Sequence, residues 1–180
     1  MTPKTQIRRI STVVTFLEMK SRPNAIPPPR PKGKVALLRA EHPPVHFYRY
    51  LYDAVGRLYQ WVDRKKLSDA QLAEILEDKG VEIYVLYIEG CPAGFAELDF
   101  REDDIGQLAY FGLVPNYVGR KLSYFFLYHA TTNAWTKPIS KLRVNTCTLD
   151  NPRALPLYQR LGFVPYSRED RYIEIPAGLI

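Results

Sequence analysis

The stretch that decides the fold of this chain is Asn151-Pro-Arg-Ala-Leu-Pro-Leu-Tyr-Gln-Arg-Leu-Gly-Phe163. It predicts one helix with a clear beginning and a clear end. Asp150 or Asn151 can cap the free N–H groups of the first turn, and the proline that follows loses no hydrogen bond there. Gly162 can adopt the left-handed conformation that ends a helix, and a strand-like run opens at Phe163.

Apolar side chains recur along this helix at the spacing of a single face. They are Ala154, Leu157, Tyr158 and Leu161. Pro156 lies within the first turn and a half, where its missing hydrogen bond costs least. The pattern predicts an amphipathic helix that packs on a sheet.

The order of residues in this helix also resembles the last motif of the GCN5-related N-acetyltransferase (GNAT) family, which moves an acetyl group from acetyl-CoA to an amine. The shared order is Asn151, then Ala154, then Leu157-Tyr158, then Gly162-Phe163. An ordinary amphipathic helix explains the periodicity, but it does not explain a tyrosine at that step.

A second run, residues 113–127, resembles the loop with which the family binds pyrophosphate. The usual pattern is Pro-x-Tyr-Arg-Gly-x-Gly-x-Gly followed by a helix. Pro115, Tyr117 and Gly119 match this pattern. Lys121 and Ser123 stand where the second and third glycines are usual.

Such a loop binds phosphate through consecutive backbone N–H groups and the N-terminus of a helix. A side chain in place of glycine narrows the approach but removes no N–H. Ser123 adds a hydroxyl donor, and Arg120 and Lys121 add positive charge. The resemblance therefore implies that Gly119, Arg120, Lys121 and Ser123 bind the cofactor.

The composition indicates one folded domain. A chain of 180 residues with 46% hydrophobic residues can bury a sizeable core. No stretch approaches the roughly 18 apolar residues of a membrane span, and no secretion signal is evident. Cys91 and Cys147 are far apart, and His42 and His46 are separated by prolines, so no metal-ligand spacing occurs. These features predict a cytoplasmic protein with no metal and no membrane partner.

The net charge of +6 belongs to the N-terminal arm. Residues 1–34 hold eight Lys/Arg and one acid, giving +7, whereas the other 146 hold 17 basic and 18 acidic residues, giving −1. Residues 27–31 read Pro-Pro-Pro-Arg-Pro, which predicts extended polyproline. Nucleic-acid binders usually concentrate charge on a structured face, so a connecting loop is the preferred interpretation and a nucleic-acid arm the alternative.

Periodicity and turn residues predict the remaining elements. Strands are expected at residues 12–17, 34–40, 81–88, 93–100, 107–114, 141–148, 163–168 and 172–175. Helices are expected at 45–63, 68–80, from about 119 to 135, and from 151, and Ser68 with Gln71 forms a capping box. Residues 1–33 are then an N-terminal strand with a proline-rich basic extension, and residues 34–180 are the GNAT-like domain.

This order of elements resembles the GNAT fold over about residues 34–175. The resemblance implies an α+β fold with a central mixed, mostly antiparallel twisted sheet of six to seven strands and about four flanking helices. It also implies a split between the central strand at 107–114 and the strand at 141–148. Pantetheine can add there like an extra strand, held by the N–H groups of Leu113 and Val114 with Asn151 nearby. An N–H around 111–113 is the expected oxyanion donor.

The resemblance also implies which residues carry the chemistry. Tyr158 matches the tyrosine that often acts as general acid beside the CoA sulfur, the alternative being a tyrosine that only packs on the sheet. Glu97 and Asp99 share one face of their strand, and Tyr110 lies on the central strand, so each is a candidate base. Some family members use only a chain of waters.

The function implied is transfer of an acetyl group from acetyl-CoA directly to a primary amine in a ternary complex. The acceptor would be a small molecule or a peptide, and the aromatic residues between 47 and 61 can line its pocket. The alternative is a non-catalytic acyl-CoA-binding or interaction module on the same fold, which the two missing loop glycines favour. Homodimers are common in the resembled family.

Overall fold

The structure is a computed structural model that describes residues 7–176 and residue 178. Within them the strands are β1 (Ile7–Met19), β2 (Val35–Ala40), β3 (Val81–Ile88), β4 (Cys91–Glu102), β5 (Ile105–Leu113), β6 (Lys141–Cys147) and β7 (Val164–Pro176). The α-helices are α1 (Val45–Gly56), α2 (Asp69–Glu77), α3 (Ser123–Ala134) and α4 (Ala154–Leu161). The strands form one sheet in the order β2-β3-β4-β5-β6-β1-β7. Neighbours are antiparallel except β5 and β6, which are parallel, so the predicted fold class is confirmed.

Helices cover both faces of the sheet. Successive residues of a strand point to opposite faces, so Phe95 packs with α1 and α2 while Ala96 packs with α3 and α4. Tyr48, Leu51 and other residues on one side of α1 are buried in the first of these clusters. The sheet is therefore sandwiched between two apolar layers, one on each face.

The N-terminal strand β1 is an inner strand of this sheet. It pairs with β6 from Val14 to Met19 and with β7 from Ile7 to Glu18. Leu17 on β1 is fully buried in the same cluster as α3 and α4. The division of the chain into residues 1–33 and 34–180 stays a prediction, although β1 itself shares the sheet and the core with the rest.

The two strands expected at 163–168 and 172–175 are one continuous strand, β7. The charged residues between the two expected strands continue the strand, because β1 supplies hydrogen-bonding partners along its whole length. Arg171 and Glu169 point to one face and form an ion pair at 2.6 Å. Tyr166 is an extra residue on β7 opposite the step from Phe16 to Leu17, and it shifts the pairing register by one residue.

The helix expected at 45–63 is shorter, because α1 ends at Gly56. A 3-10 turn follows at Arg57–Tyr59, and Gln60 adopts a left-handed conformation with φ of 60°. Trp61 then folds back on the helix end, where a Cβ on Gly56 would lie 2.5 Å from the indole ring. The chain therefore reverses direction where Trp61 packs against Gly56. This contact cannot be predicted from the periodicity of the sequence.

Two further helices begin later than expected. Helix α3 starts at Ser123 rather than near Gly119, because Gly119 and Lys121 have positive φ values of 84° and 61°. Helix α4 starts at Ala154, and Asn151 instead forms a turn in which its Oδ1 accepts the Arg153 N–H at 3.0 Å.

Two of the predicted helix-capping signals are present in the structure. Ser68 and Gln71 form the capping box of α2. Gly162 ends α4 in the left-handed region with φ of 112°. Both signals act within a few residues, so sequence alone could locate them.

We predict that shortening a buried side chain of β1 destabilises the whole domain. Leu17→Ala should lower the free energy of unfolding by about 2–5 kcal/mol, because a fully buried leucine leaves a cavity. Ile7→Ala, at the 56% exposed start of the same strand, should change it by less than about 0.5 kcal/mol. Urea denaturation followed by circular dichroism measures both. Equal, small effects would show that β1 is a dispensable appendage.

Candidate active site

The central feature of the sheet is the early separation of β5 and β6. Their parallel pairing covers only the four positions from Ile105–Lys141 to Leu108–Val144. Beyond Leu108 the strands diverge, which is the split that the resemblance implied. A groove of about 1830 Å³ lies at this opening and is lined by β5, β6, the α3 and α4 N-terminal regions and the chain after α1.

Backbone amides of β5 face this opening. The Val114 N–H donates to the Ala93 carbonyl of the neighbouring chain segment at 2.9 Å, so it is already paired. Amides alternate in direction along an antiparallel strand, so the N–H groups of Leu113 and Phe111 point away from β4 and toward the groove. Leu113 and Val114 were both expected to donate their amides to the cofactor arm; in the structure the Val114 N–H is already paired, whereas the Leu113 N–H points toward the groove.

A bulge in β5 lies beside the split. Leu98 of β4 pairs with Leu108, whereas Glu97 pairs with Tyr110, so Ala109 is an extra residue on β5. A bulge of this kind bends the strand and redirects its peptide groups. It occurs at the position where β6 departs, and it sets the direction of the amides that follow.

Tyr158 on α4 is buried at the side of the groove. Its ring packs edge-on against Phe111 and Phe163. Burial, followed by the negative charge of Asp150, raises the pKa of the Tyr158 hydroxyl well above its usual value. The phenol therefore keeps its proton at neutral pH, which suits a proton donor and not a base.

The start of α3 forms the opposite end of the groove. Its N-cap residue, Leu122, makes no side-chain capping hydrogen bond, so the first-turn N–H groups are uncapped by a side chain. Gly119 and Lys121 hold left-handed conformations in the loop before it. A lysine in this region costs about 1–2 kcal/mol, whereas a glycine adopts it freely.

Positive side chains surround this end of the groove. Lys121, Arg153 and Arg160 line it, and among residues 7–176 no carboxylate lies within 4.0 Å of any of the three. Arg160 also stacks on the Tyr124 ring at 4.2 Å, whereas Arg120 is exposed and stacks on Tyr117. Free cations beside an uncapped helix N-terminus fit an anion such as a phosphate.

Glu97, a predicted base, lies in a buried cluster away from the groove lining. Its side chain is 0% exposed and accepts hydrogen bonds from Arg64 at 2.5 Å and from the Tyr48 hydroxyl. Burial alone would lower the pKa of Arg64, but the charge of Glu97 raises it overall, so Arg64 keeps its positive charge. Asp99, two residues on, pairs with Arg101 at 2.5 Å.

Tyr110, the other predicted base, lies in the groove wall. Its ring packs against Tyr52 and Trp61, and the Arg64 guanidinium lies 5.2 Å from the ring centre. Burial raises the pKa of Tyr110 to about 12. A phenol that stays neutral at physiological pH is a poor proton acceptor.

Sequence reasoning missed a pair of bridges across the opening. The Trp61 Nε1 donates to Asp150 Oδ1 at 3.3 Å, and the Asn151 Nδ2 donates to the Tyr59 hydroxyl at 3.3 Å. Asp150 had been read only as a helix cap. The signal that could have found it is its position directly before Asn151 of the motif, at the end of β6.

The described part of the chain offers neither a metal centre nor a membrane helix. No group of three His, Cys, Asp or Glu residues among those described could hold a metal ion. None of the helices there is both long and apolar enough to cross a bilayer.

The comparison with protein families agrees with this geometry. The model of the acetyltransferase (GNAT) family matches residues 45–163, about two thirds of the chain. The chain belongs to the GNAT family. The match begins with α1 and ends one residue before β7, so it contains the split, the loop before α3 and helix α4.

Solved structures share the fold of this GNAT chain. A GCN5-related N-acetyltransferase from Kribbella flavida has 16% identity and a TM-score of 0.62, with 96% of this chain and 61% of that one covered. One from Sphaerobacter thermophilus has 15% identity and a TM-score of 0.62, covering 96% and 54%. A Bacillus cereus protein described as an IAA acetyltransferase has 21% identity and a TM-score of 0.55, covering 74% and 79%.

The chain is shorter than several of these structures, spanning 61% of the Kribbella protein and 54% of the Sphaerobacter protein. No curated protein matches it.

We predict that the charge of Glu97 is structural. Glu97→Gln should lower the free energy of unfolding by about 3–5 kcal/mol, because Arg64, only 15% exposed, is left without the counter-charge of the fully buried Glu97. Asp99→Asn, on the same strand, should cost less than about 1 kcal/mol because Arg101 is 40% exposed and its pairing is screened by solvent. Urea denaturation of the two variants measures the difference. Equal losses would contradict the assignment.

Proposed function

We propose that this protein transfers an acetyl group from acetyl-CoA to a primary amine, directly, within a ternary complex. The observation that carries the proposal is the groove between β5 and β6, which joins unpaired β5 amides to the uncapped start of α3. Two widely spaced free cysteines, Cys91 and Cys147, support a reducing, cytoplasmic setting.

The residues of the groove fit acetyl-CoA. The first-turn N–H groups of α3, with Ser123 at its start, and the cations Lys121, Arg153 and Arg160 would hold its phosphates. The outward amide of Leu113 would pair with the pantetheine arm as a neighbouring strand would. Asn151 lines the groove and would lie near this arm. The bound cofactor supplies the activated acetyl thioester.

The remaining steps fall to residues at the split. The Phe111 N–H points into the groove beside Tyr158, where it can stabilise negative charge that develops on the acetyl oxygen. The Tyr158 hydroxyl, which burial keeps protonated, can donate to the departing thiolate. Solvent in the open groove can take the proton of the amine, whereas Glu97 is held by Arg64 and Tyr48.

Binding of acetyl-CoA is the first test. At 100 times its Kd, a ligand stabilises the folded state by about 2.7 kcal/mol, which corresponds to roughly 5–11 °C in Tm for a domain of this size. Thermal denaturation with acetyl-CoA, CoA and adenosine should show such a shift for the first two only. The absence of a shift with any acyl-CoA would refute the proposal. A shift without acetylation of any amine would favour a non-catalytic acyl-CoA-binding module.

The second test concerns Tyr158. Tyr158→Phe should lower kcat by about 100-fold or more and leave KM for acetyl-CoA within a few-fold, because only the proton donor is lost. The ring and its contacts with Phe111 remain, so stability should change little. Tyr128→Phe on α3, which does not line the groove, is the matched control. A Tyr158→Phe enzyme with more than about half the normal rate would remove this residue from the mechanism.

A further inference from the structure

Asp150 lies in the wall of the groove, where three hydrogen-bond donors hold its carboxylate in place. Its Oδ2 accepts from the Thr146 hydroxyl and from the Cys147 N–H, both at 2.8 Å. Among the described residues, its Oδ1 accepts only from Trp61 Nε1, at 3.3 Å. A carboxylate oxygen can accept two hydrogen bonds, so Oδ1 has room for one more donor.

Asp150 differs from the other carboxylates that line the groove. Asp63 lies 3.5 Å from the Lys66 ammonium, and Glu174 lies 2.9 Å from the Arg9 guanidinium. Among the residues that the structure describes, no cation lies within 4.0 Å of Asp150. The groove therefore has free positive charge at the start of α3 and one uncompensated negative charge across the opening.

A second acceptor atom lies in the same wall. The Oε1 atom of Gln60, directly before Trp61, is buried and finds no hydrogen-bond donor among the described residues. A buried carbonyl oxygen without a donor destabilises the free protein, so a ligand that brings an N–H group to it gains a hydrogen bond. An ammonium group brings three donors and no acceptor.

Aromatic rings complete this wall. Tyr52, Trp61 and Tyr110 pack together, with Trp61 and Tyr110 centroids 5.1 Å apart. Such a surface binds alkyl chains and attracts cations. The guanidinium of Arg64 lies over the Tyr110 ring, but its charge is balanced by Glu97. Arg64 therefore does not neutralise Asp150.

We infer that Asp150 binds a positively charged group of the acceptor and thereby selects amines that carry a second ammonium, such as aliphatic diamines and polyamines. The reacting amine must be neutral to attack the thioester, so the carboxylate holds the other ammonium of the same molecule. Trp61 and Tyr110 contact the alkyl chain between the two. This inference rests on the proposed function, because it assigns the acceptor of that reaction.

The test compares matched acceptors in binding. The probes are 1,3-diaminopropane against 3-amino-1-propanol, and 1,5-diaminopentane against 5-amino-1-pentanol, titrated calorimetrically into the protein with and without saturating CoA. At least one diamine should bind about 10-fold or more tightly than its amino alcohol, as expected for a hydrogen bond between charged groups. Asp150→Asn should reduce this preference to less than about 3-fold and leave the thermal shift with acetyl-CoA unchanged.

Thr146→Val is the matched control, because it removes one hydrogen bond to Asp150 Oδ2 and keeps the charge. It should retain the preference for the diamine. Equal binding of diamine and amino alcohol by the unaltered protein, persistence of the preference in Asp150→Asn, or its loss in Thr146→Val would each overturn the inference. The proposed acetyl transfer is judged separately, by the acetyl-CoA shift and by turnover, so either can fail alone.

Discussion

The groove of this protein exists because the pairing between β5 and β6 ends after four residue pairs. Two inner strands that separate leave backbone groups without partners, which is costly unless other segments satisfy them. On the β6 side, β1 pairs antiparallel along the whole strand, from Leu142 to Cys147. On the β5 side, β4 pairs up to the end of the strand, and Val114 extends the ladder to Ala93. The open amides are thereby confined to the facing edges of β5 and β6. The N-terminal strand β1 contributes to this, because it pairs with the other edge of β6.

Charged side chains along the groove differ in whether they have a partner. The cations in the chain after α1 are neutralised, since Arg64 is paired with buried Glu97 and Lys66 lies near Asp63. Lys121 and Arg153, at the α3 and α4 ends, have no such partner among the described residues. A buried ion pair contributes little net stability compared with apolar packing, but removing one of its partners strongly lowers the free energy of unfolding. The Glu97–Arg64 pair therefore serves to fix the chain after α1 against β4 while it removes the charge of Arg64 from the groove.

Sequence alone could locate the elements whose determinants are local. The strand alternation, the Ser68 capping box and the Gly162 helix end each act within a few residues. The errors arose where a distant partner decides. Helix α1 stops because Trp61 packs on Gly56, and β7 continues through its charged centre because β1 lies beside it. The role of Asp150 was missed for the same reason, since the Trp61 N–H that marks it is 89 positions away in the chain.

The loop before α3 shows how a departure from the family pattern can preserve the geometry. Lysine rarely adopts a left-handed conformation, yet Lys121 has φ of 61°, in the region that glycine adopts freely. Ser123 is the first residue of α3, so the helix N-terminus begins at the position of the third glycine. Loss of a phosphate site through side-chain substitution would require that the amides turn away or that a side chain caps the helix. Leu122, at the N-cap, has no group that can cap it, and Lys121 adds a cation where glycine would add none. The substitution at Lys121 therefore adds positive charge at a conformational cost, and the first-turn N–H groups of α3 remain uncapped by a side chain.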